Sequence, residues 1–146
     1  MRPSGPEAPP ARWQLLREPD GRPGWRQMAA DRALLDLADR EGAVLLRLYR
    51  WAPYCLSFGC NEPALRRYDR RRIDALGLDT VRRPTGGRAV WHARELTYAV
   101  AARTDAFGPL RAAYLALHAI IAGAVRRLGA DAVLAAEPAR AAPLES

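Results

Sequence analysis

The chain of 146 residues contains no lysine; all 23 of its basic residues are arginine. Chemistry that depends on a lysine amine is therefore excluded for these residues acting alone. Cysteine is nearly absent too, with only Cys55 and Cys60. Two thiols make no disulfide framework, and five positions apart on one strand they are expected to point to opposite faces. They read as small buried hydrophobes rather than as nucleophiles. No metal site is expected. No apolar run approaches the length that spans a bilayer, and the N-terminus has no apolar signal core. Neither a membrane protein nor a secreted one is indicated, and the cytoplasm is the expected compartment.

What is present suits a single globular domain: the length is ordinary for one, and 49% of the residues are hydrophobic. A formal charge of +7 would steer an acidic partner toward the chain. Arg66, Arg67, Arg70, Arg71 and Arg72 crowd into seven residues, with Tyr68 among them. A nucleic-acid surface is one reading of such a cluster. The segment is short, however, lacks an RNA-recognition signature, and ends as an amphipathic helix with Ile73 and Leu76 turned inward. A solvated helix face is the stronger reading, and no nucleic-acid partner is expected.

Along the chain, residues 1–10 are rich in Pro, Gly and Ala and read as a disordered tail. A short strand is predicted over 13–16 and a turn-rich loop over 19–24. The apolar spacing of Trp25, Met28, Leu34, Leu35, Leu37 and Ala38 predicts an amphipathic helix over 25–40. Asp31 falls on its apolar face and needs a partner: an arginine or backbone N–H groups of the Gly-Gly loop described below, or else a half-exposed salt bridge. Strands follow over 43–51 and 54–59, joined across Ala52-Pro53. Asp69 is placed to cap a helix over 70–76 that stops at Gly77. Strands are then expected over 78–81, 89–92 and 96–100. Pro109 opens a long helix to 128 with the stripe Leu110, Tyr114, Leu117, Ile121 and Val125, closed by Gly129. His118 beside that stripe reads as a packing residue. Residues 135–146 read as a flexible tail, leaving 11–134 as the domain. The order β-α-β-β-α-β-β-β-α implies an α+β fold, with helices packed on a mixed, largely antiparallel sheet.

The most informative stretch is 82–92, Arg-Arg-Pro-Thr-Gly-Gly-Arg-Ala-Val-Trp-His. Pro84 ends a strand, and Gly86-Gly87 can take the positive φ angles of a tight turn. Backbone N–H groups left uncovered there can cradle a phosphate or an acyl carbonyl oxygen. A plain hairpin turn is the alternative.

This stretch, followed by Glu95-Leu96-Thr97-Tyr98-Ala99-Val100, resembles the signature of the lipoate–protein ligase and octanoyltransferase superfamily, which shares its fold with biotin–protein ligases. Gly24-Trp25, Met28-Ala29, Asp31, Ala33-Leu34-Leu35 and Leu56 to Pro63 fit in the right order, so the resemblance covers roughly residues 12–130. Glu-Leu-Thr-Tyr after the histidine looks like the octanoyltransferases that act on a lipoyl-domain or glycine-cleavage carrier. Ala93 departs from the pattern, since relatives usually carry aspartate after the histidine, and a supporting carboxylate is missing there.

The resemblance implies a substrate site made of Arg82, Arg83, Thr85, Gly86, Gly87, Arg88, Ala89, Val90, Trp91 and His92. Arg82 and Arg83 would hold the activated acyl donor, an acyl-carrier thioester or acyl-AMP, with Arg83 nearest any phosphate. Residues 86–91 would wall an acyl tunnel with Phe58 beside them, and His92 would orient the donor or its carbonyl. No permanently bound cofactor is implied. Relatives also carry a lysine and a nucleophilic cysteine beyond the long helix. No residue here matches either, so no catalytic residue is assigned, and the resemblance implies that 11–134 is the N-terminal portion of a biotin/lipoate protein ligase-like catalytic domain. The implied activity is octanoyl or lipoyl transfer to lipoyl carrier domains, with the chain inactive alone or completed by a second chain. A non-catalytic acyl- or carrier-binding module is the alternative. The expected partners are an acyl donor and an acidic lipoyl or glycine-cleavage carrier domain.

Overall fold

A computed structural model describes residues 12–134. The two tails expected at 1–10 and 135–146 lie outside the described residues. The chain divides into two compact units, Met1–Arg103 and Thr104–Ser146.

The first unit is α+β, with two three-stranded sheets where the sequence suggested one. Strands β1 (Trp13–Arg22), β2 (Val44–Trp51) and β6 (Thr97–Ala101) form one sheet in the order β1-β2-β6. Strands β4 (Asp79–Arg82), β3 (Cys55–Phe58) and β5 (Val90–His92) form the other, with β3 in the centre. Both are mixed, each with one parallel and one antiparallel pairing. Helices α1 (Gly24–Glu41), α2 (Ala64–Arg67) and α3 (Arg70–Ala75) complete the unit.

β1 runs well past the predicted 13–16 and takes in most of the expected loop. Its register against β2 breaks between Arg17 and Gly21. Pro19 sits inside that break, where a residue with no N–H costs no ladder bond. The turn signal was real, but the strand absorbs it as an irregularity.

α1 differs from its predicted face. Trp25 and Leu35 are exposed, whereas Gln27 is fully buried with Leu34 and Ala38. The helix starts without a local side-chain cap, and Asp79 of β4 accepts from the Gly24 N–H at 2.6 Å instead. A side chain at Gly24 would strike Cys55 Sγ at 2.9 Å, so glycine lets the helix start lie against β3 and β4. Asp69 caps α3 as expected, accepting from the N–H groups of Arg71 and Arg72 at 2.9 and 3.3 Å. Leu76, expected inward, is exposed, and so are the five clustered arginines.

The core lies on one face of β2. Leu45 packs with Leu34, Ala38, Ala43 and Ala101, while Tyr49 and Trp51 pack with Cys55, Met28, Val81 and Ala99. Burying these side chains supplies the main drive for folding, roughly 1.5–3 kcal/mol per large aliphatic or aromatic residue. In the second unit, α4 (Leu110–Arg127) follows Pro109 as predicted. Of its expected stripe, Leu110 and Tyr114 are exposed, and Ala122 is the buried residue. His118 donates from Nδ1 to the Tyr114 carbonyl at 2.8 Å and lies 3.8 Å from the Tyr114 ring, a local packing role.

Candidate functional site

β4 and β5 do not pair with each other; they flank β3 on opposite sides. Residues 83–89 therefore form an arch over the end of β3 rather than the turn of a hairpin. Strand register fixes its feet, with Phe58 opposite Arg82 and Ser57 opposite Val90. The expected glycine pair supplies one positive φ, +94° at Gly87. The closest approach is at Gly59, where a Cβ would lie 2.0 Å from the Gly87 carbonyl oxygen. Glycine is thus required at 59 because the arch rests directly on it.

Two arginines lock the arch. Arg83 Nη1 donates to the Ser57 carbonyl at 2.8 Å and to Ser57 Oγ at 3.1 Å. Its Nη2 donates to the carbonyls of Gly86 (2.9 Å) and Arg88 (2.7 Å). Arg82 Nη1 donates to the carbonyls of Gly59, Cys60 and Glu62 at 2.7, 3.2 and 3.0 Å. The Cys60 N–H reaches the Thr85 carbonyl at 3.0 Å. All these acceptors are neutral, and among the described residues no carboxylate forms an ion pair with Arg82, Arg83 or Arg88. The arch keeps its positive charge, which favours an anion beside it.

A cavity of about 380 Å³ lies beside the arch. Of the ten site residues read from the sequence, Arg83, Thr85, Val90 and His92 line it. Arg82 ends β4, and Gly86, Gly87, Arg88, Ala89 and Trp91 belong to the arch and to β5; none of these lines it, and Trp91 is exposed. Phe58 faces a smaller cleft with Tyr68 and Ile73. The remaining wall is largely apolar, including Met28, Leu34, Leu35, Ala99 and Val100, with Asp31, Ser57 and Thr97 as further polar groups. The volume and this division of polar and apolar lining suit a small molecule with a polar head and an aliphatic tail.

His92 is buried between two partners. Its Nδ1 lies 2.6 Å from Glu95 Oε1 and its Nε2 lies 2.7 Å from Ser57 Oγ. Its ring stacks on Trp51 at 3.9 Å and 14°. Thr97 Oγ donates to Glu95 Oε1 at 2.8 Å and accepts from Trp51 Nε1 at 2.8 Å. The carboxylate partner of His92 is therefore Glu95, three residues on. Sequence reasoning did not single out Ser57, Trp51, Glu95 or Thr97 as site residues. The available signal was the spacing of Glu95 three residues beyond the histidine.

Asp31 does bind an arginine, Arg47 of β2, at 2.8 Å. Arg47 is 1% exposed. It also donates to Glu18 and to the Gln27 side chain, and lies 4.0 Å over the Tyr49 ring. Burial raises the Asp31 carboxyl above its usual range, and the Arg47 charge opposes that without cancelling it. Burial, aided by the Asp79 charge, pushes the Cys55 thiol up to about 12. Cys55 is therefore the inert buried thiol expected. Cys60 departs from that expectation: it lies beyond the strand end and is exposed. Among the described residues, no cluster of His, Cys, Asp or Glu could hold a metal ion, and no helix is long and apolar enough to cross a membrane.

The family model described as lipoyl protein ligase A/B catalytic domain matches residues 23–138. The octanoyltransferase LipM of Moorella thermoacetica is 39% identical over 132 residues, covering 87% of this chain and 48% of that protein. The octanoyltransferase LipM of Exiguobacterium sibiricum is 49% identical over 89 residues, covering 60% and 32% respectively. Among solved structures, lipoate–protein ligase A bound with ATP superposes with a TM-score of 0.68 at 24% identity, over 82% of this chain and 47% of that one. A bipartite lipoate protein ligase from Thermoplasma acidophilum, described with its E2 lipoyl domain, gives a TM-score of 0.62 at 22% identity, over 86% and 49%. These two likenesses show the fold. The chain spans about half the length of the curated relatives that it matches most fully.

Proposed function

The chain belongs to the lipoyl protein ligase A/B catalytic domain family, and we propose that it forms the donor-binding half of an octanoyl- or lipoyl-transferring protein. The carrying observation is the arch: a positively charged loop, held rigid on Gly59, beside a 380 Å³ cavity with a polar rim and an aliphatic wall. The acyl chain occupies the cavity. The activated end, a carrier thioester or an acyl adenylate, lies under Arg82, Arg83 and Arg88. The acceptor is an acidic lipoyl or glycine-cleavage carrier domain, drawn by the +7 charge and by the exposed arginines of α2 and α3.

Transfer also needs a group to polarise the carbonyl and a nucleophile to take the acyl group. Neither a lysine nor a cysteine stands on the cavity wall. Further polypeptide supplies them, in cis or as a second chain. The bipartite ligase among the structural neighbours supports the second arrangement. The competing reading, a module that binds acyl groups or carriers without reacting, makes the same prediction for the isolated chain and a different one for the completed protein.

The test is acylation of a lipoyl domain followed by intact-mass measurement, with an octanoyl carrier protein as donor. The 146-residue chain should add no acyl group. Supplying the C-terminal half of a LipM relative, fused or separate, should restore an octanoyl mass shift. Continued silence with a stably associated second half would favour the binding module. Turnover by the chain alone, lost in Cys60→Ser, would contradict the division of labour proposed.

A further inference from the structure

With the His92 ring neutral, donor and acceptor chemistry orders the hydrogen bonds around it. An indole N–H can only donate, so Thr97 Oγ accepts from Trp51 and turns its own hydrogen onto Glu95. A guanidinium can only donate, so Ser57 Oγ accepts from Arg83 and has its own hydrogen free for His92 Nε2. The Glu95 carboxylate can only accept, so the Nδ1 that faces it carries the ring hydrogen. Every bond in the chain Trp51–Thr97–Glu95–His92–Ser57–Arg83 thus points toward Glu95.

We propose that Glu95 is a positioning residue which, through this ordered chain, fixes His92 as its Nδ1–H tautomer, so that the Ser57–His92 couple accepts a proton from the group attacking the acyl donor. The proposal rests on the acyl-cavity reading above and sharpens it. In this tautomer Nε2 has a lone pair and no hydrogen, so it cannot donate to the acyl carbonyl; it can only receive. Ser57 Oγ has two lone pairs, one filled by Arg83, and the second can accept from an entering X–H group. Ser57 and His92 both line the cavity. The entering group is therefore a thiol, a hydroxyl or a neutral amine. In the step itself X bonds to the acyl carbon, and the carbon–sulfur bond of the thioester breaks. The X proton passes to Ser57 Oγ while the Ser57 proton passes to His92 Nε2. The resulting imidazolium, held against Glu95, returns its proton by the same route to the leaving thiolate.

Long-range 1H–15N correlation spectra of the full chain labelled with 15N-histidine test this directly. His92 and His118 are the two histidines, and His118→Gln assigns the signals. His92 should show a protonated Nδ1 and an unprotonated Nε2. Glu95→Gln keeps a carbonyl acceptor and should retain that pattern, whereas Glu95→Leu should move the hydrogen to Nε2. An Nε2–H tautomer in the unmodified chain, or an unchanged one in a folded Glu95→Leu, overturns the proposal. If Glu95→Leu does not fold, the parent spectrum and Glu95→Gln decide. Octan-1-ol, which donates, should move the Nε2 resonance several-fold more than 2-nonanone, which only accepts. Equal responses overturn the proton-accepting role. No response to either would overturn the acyl cavity on which that role rests, even with the expected tautomer in place.

Discussion

Two arginine-centred regions of this molecule use one residue type in opposite ways. Arg47, on the sheet β1-β2-β6, is buried against two carboxylates, Glu18 and Asp31, and its charge is spent inside the protein. Arg83, the first residue of the arch after β4, is held by carbonyls of Ser57, Gly86 and Arg88. Carbonyl oxygens satisfy its N–H groups without cancelling its charge. The first arrangement is a scaffold; the second leaves a positive charge beside the cavity, at the binding surface proposed above. An arginine's role follows from the charge of its acceptors, more than from its burial alone.

The largest effect should come from breaking the scaffold. Arg47→Met leaves Glu18 and Asp31 close together without their shared cation, and losing one member of such a buried group costs about 3–5 kcal/mol. Urea unfolding should show this as a large drop in midpoint. A change near zero would mean that Arg47 is no scaffold, and the contrast with Arg83 would disappear.

Gly59→Ala comes next, because it lifts the arch without touching any charge. A methyl group 2.0 Å from the Gly87 oxygen forces the loop off β3, an overpacking cost of about 1–3 kcal/mol. Thermal melts should register that cost, and acyl-donor binding should fall with it. Unchanged binding would separate the arch from the site.

The two cysteines extend the comparison at the smallest scale. With iodoacetamide at pH 8, Cys60 should be alkylated readily, while Cys55, buried with its thiol pushed up to about 12, should react only after unfolding. Peptide mapping reads both sites. Equal labelling would show that the β3 strand opens under native conditions.

Much of this was legible in the sequence, for identifiable reasons. Helix α3 was readable because its cap, Asp69, is local, and the strands were readable from their aliphatic runs. The extent of β1 was not, because its pairing with β2 overrides the turn signal at Pro19. Nor was the inward face of α1 fully legible. Gln27 is buried because Arg47 and the Arg50 carbonyl await it across the chain, partners that no local pattern reveals. The arch was found by its residues but mistaken in form. Whether two strands pair with each other or flank a third depends on β3, some thirty residues upstream. The histidine was named from its motif, but its carboxylate partner Glu95, three residues on, was not.

The central claim, that carbonyl-held arginines leave the arch open to an anion, is tested most directly by comparing two ligands on two variants. Octyl adenosine 5′-phosphate, a stable phosphodiester, and an uncharged octyl adenosine ether are titrated calorimetrically into Arg83→Ala and Arg71→Ala. Losing a charge-assisted contact costs about 1.5–3 kcal/mol, or roughly ten- to a hundredfold in affinity, whereas a solvated arginine contributes little. Arg83→Ala should therefore lose its preference for the phosphodiester over the ether, and Arg71→Ala should keep it. An equal loss in both variants, or a preference that survives in Arg83→Ala, would contradict the account.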